Sequence, residues 1–396
     1  MSDTLTTLSR RGFLARAGGI GCSLAASPLL TPVTFAQAPW DTRLVVIILR
    51  GGMDGLDVVR PVGDPAFAAL RPTILQDGPG HDLDGYFTLH PSLETLMPLW
   101  EAEDLGFVHA VSTPYRDKRS HFDGQDLLEA GTEALATGVR DGWLNRMLQA
   151  VPGVSADTAY AIGHNDVRVL NGSAPVANWS PRSRLRLSPQ AQRLAETIME
   201  MDPQMNAALA EAMNLASIVE SSAMDQGKEK MRGAHNQIAQ FAAERLRNDA
   251  RVAAFSLNGW DTHAAQKRTL RRSLATLSET ILLLKLELGD VWGKAAVIAM
   301  TEFGRTAREN GSGGTDHGTA GLMVLAGGAV RGGKVYGRWP GIGEEALYDR
   351  RDLMPTADVR APAAWVIQGL TGIDVNTLES QVFPGLQMGS DPRLLL

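Results

Sequence analysis

The chain contains one cysteine, Cys22, in 396 residues. It lies so near the N-terminus that a processed protein would hold no thiol. That excludes a disulfide framework and any cysteine-ligated metal, so a metal ion here must be held by oxygen and imidazole. Beyond the N-terminal region no apolar run is long enough to span a membrane. The glycine-rich segments lack the Gly-Lys-Ser/Thr ending of a phosphate-cradling loop. The first strand is not followed by Gly-x-Gly-x-x-Gly, so a dinucleotide fold is not indicated either. Internal repeats, low-complexity tracts and blocks of like charge are missing. There is no excess of positive charge: the net charge is −6, which makes the chain a poor nonspecific binder of nucleic acid.

What is present fits a folded, soluble protein: 44% hydrophobic residues, 21% charged residues and 41 glycines, the last implying many tight loops. No compositional break divides the chain, so residues 37–396 are expected to form one domain. The start reads as an address. Ser9, Arg10, Arg11, Gly12, Phe13 and Leu14 precede an apolar stretch from Ala17 to Leu30 and small residues around Ala36, which resembles a bacterial twin-arginine export signal over residues 1–36. Losing three arginines and one aspartate with that segment takes the net charge from −6 to −8. A periplasmic or secreted protein follows, with the Tat translocase as its partner during export and no stable membrane span.

Arg43 to Leu49 is a short β-branched run ending at Gly51 and Gly52, the pattern of a central parallel strand buried on both faces. Further strands are expected at 105–111, 252–257, 295–301 and 322–326. Helices are expected at 92–102, 125–130 and 271–288. This alternation predicts an α/β fold with a mostly parallel central sheet and helices on both faces. Residues 188–248, rich in alanine, leucine, methionine, glutamate and lysine, read as a helical insertion divided near Pro203. Its Met199, Met205, Met213 and Met231 are packing residues in this reading.

Ligands of parallel sheets gather beyond the carboxyl ends of the strands. Asp54 follows the first strand among Gly51, Gly52 and Gly55, as a metal ligand or a helix cap. Ser120 and His121 precede a helix, where the serine serves as a nucleophile or an N-cap and the histidine as a ligand or general acid. Asp261 and His263 directly follow the strand at 252–257. Glu302 ends the strand at 295–301 with Arg305 just beyond, either as site residues or as a buried ion pair. Asp316 and His317 sit in a glycine-rich run from Asn310 to Gly321, where the backbone is free to turn both side chains inward. His81, His90, His109 and His164 read as structural.

In this order the segments Leu49 to Leu56, Arg119 to Asp123, Gly259 to His263, Thr301 to Thr306 and Gly313 to Gly321 resemble the bacterial DUF1501 family, a resemblance running from about Leu44 to near the C-terminus. That family is in turn similar to the alkaline phosphatase and sulfatase superfamily, whose α/β sheet holds two metal ions beside a serine, threonine or modified cysteine. The resemblance matches Asp54 to the first metal-binding acid, Ser120 to the nucleophile, Asp261 and His263 to an acid–histidine pair, Glu302 to a strand-end acid and His317 to the last histidine. Two departures stand out. Phe303 occupies the place of a second-metal histidine, and the Asp261–His263 spacing is shorter than acid-x-x-x-His, so one metal is lost or Asp316 or His121 substitutes.

The expectation is therefore an exported metal-dependent hydrolase of phosphate or sulfate esters acting on a small anionic ester. Asp54, Asp261, His263, Glu302, Asp316 and His317 are its metal ligands, and Ser120, His121 and Arg305 its catalytic groups. Ser120 or a metal-activated water is the nucleophile. The cation is divalent, with zinc, manganese, magnesium and calcium left open. The competing expectation is a non-catalytic envelope or carbohydrate-binding protein on the same fold. A metal-free serine hydrolase is disfavoured because no Gly-x-Ser-x-Gly elbow surrounds Ser120.

Overall fold

Strand β1 (Arg43–Arg50) shows how the sheet is covered. Val45, Ile47 and Leu49 enter one apolar cluster and Leu44, Val46 and Ile48 the other, all nearly inaccessible to solvent. Side chains alternate across a strand, so an unbroken apolar run belongs where both faces are packed. Each such side chain contributes about 1.5–3 kcal/mol by leaving water. The computed structural model describes residues 38–116, 118–135, 138–163, 167–181 and 233–396. The export signal, Cys22, His164, the four methionines named above and most of the helical insertion lie outside them.

Three short strands, β2 (Val59–Arg60), β3 (His81–Asp82) and β4 (Thr88–Leu89), form a small antiparallel sheet. The large sheet adds to β1 the strands β5 (Leu105–Ser112), β6 (Ala159–Ile162), β7 (Ala177–Trp179), β8 (Val252–Asn258), β9 (Ala295–Met300), β10 (Gly321–Ala326), β11 (Lys334–Tyr336) and β12 (Ala357–Asp358). Its order is β11-β5-β10-β9-β1-β8-β6-β7, with β12 also on β5. All pairings are parallel except those of β10, which runs against β5 and β9. The amino end of β10 therefore lies at the edge where its neighbours have their carboxyl ends.

Helices cover both faces. On one side lie α3 (Ala234–Arg247) and α4 (Gln266–Leu288), with Leu270, Leu274, Leu277, Ile281, Leu284 and Leu288 of α4 in the core at helical spacing. On the other lie α2 (Trp143–Gln149) and α5 (Arg360–Thr371). Helix α1 (His121–Ala130) begins four residues before its expected start, because Ser120 caps it. The expected helix over 92–102 is split into a 3-10 turn, Pro91–Leu96, and a helix, Met97–Glu101. Pro98 has no N–H to donate and belongs in a first turn. Among the described residues no helix is long and apolar enough to cross a membrane.

Candidate metal centre

Four connections bring chemistry to one edge of the sheet: those after β1, β5 and β8, and the excursion from β9 to β10. Arg305, inaccessible to solvent, knits three of them together. It donates through Nε to Gly52 O at 2.6 Å, through Nη1 to Thr315 O at 3.1 Å, and through Nη2 to Gly51 O, to Trp260 O at 3.0 Å and to Asp261 Oδ1 at 2.7 Å. Gly51 allows this close approach: it has φ +125°, and a Cβ there would stand 2.5 Å from the Asp261 nitrogen. Arg305 is thus a buried clamp paired with Asp261, not with Glu302.

His121 and His317 are each fixed from behind. Glu302 Oε1 lies 2.8 Å from His121 Nδ1 and also accepts from Gly51 N at 2.9 Å and Gln125 Nε2 at 3.0 Å, while Thr301 Oγ1 donates to Oε2 at 3.0 Å. His317 Nδ1 donates to the Arg119 carbonyl at 2.8 Å, an oxygen turned inward by the left-handed backbone of Arg119 at φ +52°. With each Nδ1 proton so engaged, the lone pair of the neutral ring sits on Nε2. Both Nε2 atoms face Asp261, His121 Nε2 at 3.4 Å from Oδ2 and His317 Nε2 at 3.4 Å from Oδ1. His121 Nε2 is buried and makes no hydrogen bond. Among the described residues His121, Asp261 and His317 form a group that could hold a metal ion, with ligand atoms all within 4.8 Å of one another.

His263 joins from the solvent side. Its Nε2 lies 2.9 Å from His317 Nε2 and 3.1 Å from Asp261 Oδ1, and its Nδ1 lies 3.3 Å from Asp316 Oδ1. Asp316 orients His263 as Glu302 orients His121, and is itself held by Asn310 Nδ2 at 3.0 Å. The hydrogen bond with Glu302 raises His121 against the opposing pull of burial. Burial lowers His317, helped by the charges of Arg305, His121 and His263 and opposed by the Arg119 carbonyl. Burial works to raise Asp261 and Glu302, yet both are held low, the first by Arg305 and the second by hydrogen bonds led by that of His121. Asp316 is held low by the Asn310 amide.

The structure thus gathers His121, Asp261, His263, Glu302, Asp316, His317 and, through Asp261, Arg305. Asp54 stands apart. Its carboxylate is inaccessible, bonded by both Nη atoms of Arg71 at 2.6 and 3.0 Å and by Gln266 Nε2 at 2.6 Å. A guanidinium occupies the place a cation would need. Glu302 meets the cluster through His121, its oxygens taken up by the donors named above. Ser120 precedes His121, but its Oγ accepts from Asp123 N at 3.4 Å as the cap of α1, and its own N–H donates to the Tyr115 hydroxyl at 2.8 Å. Phe303 is buried, stacked on His121 with ring centroids 5.1 Å apart and tilted against His317 at 4.9 Å. It gives one wall of the cluster an apolar face.

Sequence reasoning missed the supporting partners. Arg71 and Gln266 lie in segments with no chemical motif, and the Arg119 carbonyl has no side-chain signature. Asn310 opens the glycine-rich run and was within reach of a closer look.

A family model described as a protein of unknown function (DUF1501) matches residues 41–361. The chain belongs to that family. A search of curated proteins finds no match to this DUF1501 chain. Among solved structures it is similar to the lipoteichoic acid synthase LtaP from Listeria monocytogenes (9% identity, TM-score 0.34, 67% of this chain and 57% of that one). It is also similar to a protein of the alkaline phosphatase superfamily from Vibrio parahaemolyticus (10%, 0.37, 83% and 72%) and to the alkaline phosphatase of the Antarctic bacterium TAB5 (8%, 0.34, 76% and 95%). The DUF1501 chain thus spans little more than half the length of the first. At TM-scores of 0.34 to 0.37 and identities of 8 to 10% these likenesses carry no argument about its chemistry.

Proposed function

We propose that this protein is an exported hydrolase of phosphate or sulfate esters that works with one divalent cation held by His121, Asp261 and His317. The observation that carries the reading is the convergence of two Nε2 atoms and a half-exposed carboxylate, each histidine anchored through its other nitrogen. Histidines that ligate metals typically donate their second N–H to a carboxylate or a backbone carbonyl, as these two do. The buried, unbonded Nε2 of His121 is a polar atom that a cation would satisfy. Two imidazoles and a carboxylate suit zinc or manganese better than magnesium or calcium.

A divalent cation supplies Lewis-acid stabilisation of the anionic ester oxygens. The chain's own groups do the rest. His263, half-exposed and held by Asp316, is placed to pass a proton at Nε2 between the site and solvent. Arg305 fixes Asp261 and the turn after β1 so that the ligands keep their spacing. Phe303 excludes water from one wall. Ser120, at the start of α1, supplies an alcohol one residue from His121, where the partial positive charge of the helix N-terminus favours an anionic oxygen. Export would be through the Tat translocase, with the periplasm or the medium as destination, the protein folding and loading its metal before it crosses the membrane.

Elemental analysis of the purified full chain, with His317→Ala beside it, tests the cation. Turnover of generic phosphate and sulfate monoesters, repeated with Ser120→Ala, tests the chemistry. One bound metal that is lost in the variant, together with metal-dependent turnover, is the expected result. A fully active, metal-free protein would overturn the reading. The closed Asp54–Arg71 pair and the buried Phe303 favour a second reading, a metal-dependent binder without turnover. Metal bound at one equivalent with no hydrolysis of any ester selects it.

A further inference from the structure

A cavity of about 620 Å3 lies between the first turns of α4 and the segment Pro91–Thr95. Three cations line it: Lys267, Arg268 and Arg271. Spacings of three and four residues put them on one helical face, beside the one through which Leu270, Leu274 and Leu277 reach the core. All three are exposed, and none is paired with a carboxylate among the described residues. Asp77, on the cavity wall, does not balance them: its carboxylate is held by Arg60 at 2.8 Å and by His90 at 3.0 Å. Glu94 is the remaining acid of the wall, and Ser92 and Thr95 add hydroxyls.

The placement of these charges is unfavourable within the protein itself. The first turn of α4 contains no acidic residue. Positive charge there opposes the helix macrodipole and repels its own kind. Among the described residues neither cost is offset by an ion pair, and an anion in the cavity would relieve both. From Lys267 to Arg271 the helix rises about 6 Å, at ~1.5 Å per residue, more than one tetrahedral anion bridges. The volume is that of a small-ligand site, which is typically about 300–1,000 Å3. Three full positive charges against one carboxylate match the high charge density of linked phosphates, which guanidinium groups bind in bidentate fashion.

We propose that this cavity binds a compact ligand bearing two or more phosphate groups, at a site separate from the histidine cluster and independent of the hydrolase reading. Calorimetric titration of the full chain with inorganic tripolyphosphate tests it, with inorganic phosphate and sulfate as single-group comparators. The wild type is expected to bind tripolyphosphate at least tenfold more tightly than either comparator. The triple variant Lys267→Gln, Arg268→Gln, Arg271→Gln should weaken that binding at least tenfold with a melting temperature no lower than that of the wild type. His317→Ala, run in parallel, should bind as the wild type does, which separates this cavity from the metal centre. No binding by the wild type, equal binding by the triple variant, or an equal loss in the control Lys334→Gln, Arg338→Gln, Arg393→Gln would each overturn the proposal.

Discussion

Asp54 and Asp261 stand beyond the ends of neighbouring strands, and each touches an arginine, yet their situations are opposite. Arg71 gives Asp54 two N–H groups, and Gln266 takes up more of the same carboxylate, in a place water does not reach. Arg305 gives Asp261 one N–H and sends its others to backbone carbonyls, leaving Oδ2 turned towards His121 and the side chain 48% exposed. The lesson is that position at a sheet edge does not make a carboxylate a ligand. What decides is whether the chain already supplies its counter-charge. A closed pair stabilises the fold, and an open one remains available for chemistry.

The contrast is most sharply tested by Arg71→Ala. Removing one partner of a buried pair leaves Asp54 charged and unmatched, and stability should fall by about 3–5 kcal/mol. Asp261→Asn should cost less, because the half-exposed side chain keeps an oxygen to accept from Arg305 Nη2. Urea unfolding of both variants measures this, and equal costs would erase the distinction drawn here.

The closed region also contains a histidine unlike those of the cluster. Burial holds His109 down to about 4, against weaker opposing effects of the Val59 carbonyl and Asp54. An unfolded imidazole titrates near ~6.5. Between those values the unfolded chain binds a proton that the folded chain does not, so stability rises with pH. Falling from pH ~6.5 to about 4 should remove roughly 3 kcal/mol. Stability measured against pH for His109→Gln should lack that slope; an unchanged slope refutes the assignment.

In the open region, Glu302→Gln keeps the shape but weakens the hold on His121. Zinc titration of the variant should show affinity reduced by about 10- to 100-fold, and Asp316→Asn, which acts only through His263, should lose less. A larger loss in Asp316→Asn would make His263 a ligand and move the centre outward. The smallest effect is expected at Asp41–Lys294, 2.6 Å apart with both side chains mostly exposed. There Lys294→Ala should change stability by less than about 1 kcal/mol, and a larger change would show that exposure is a poor guide to the worth of these pairs.

The framework of the sheet was legible because β1, β5, β8, β9 and β10 are apolar runs that only two-sided burial explains. Strands β6, β7, β11 and β12 were not, since two to four residues are too few for a period to show. The direction of β10 was also hidden, because an apolar run reads the same both ways. At the site, residue type and place at a strand end pointed to His121, Asp261, His263 and His317. The same logic put Asp54 among them, because nothing within its own segment announces Arg71, which reaches it from another element. Glu302 was legible as a site residue, but whether it would face a cation or the back of a histidine depended on where His121 lay.

The reversed direction of β10 has one more consequence. It is hydrogen-bonded to β9, so the excursion carrying Glu302, Arg305, Asp316 and His317 departs from and returns to adjacent places on the same rim. The tip of that segment, at Gly311 and Ser312, is exposed, so it can be lengthened or shortened while the strand order beneath it and the Arg305 clamp stay the same.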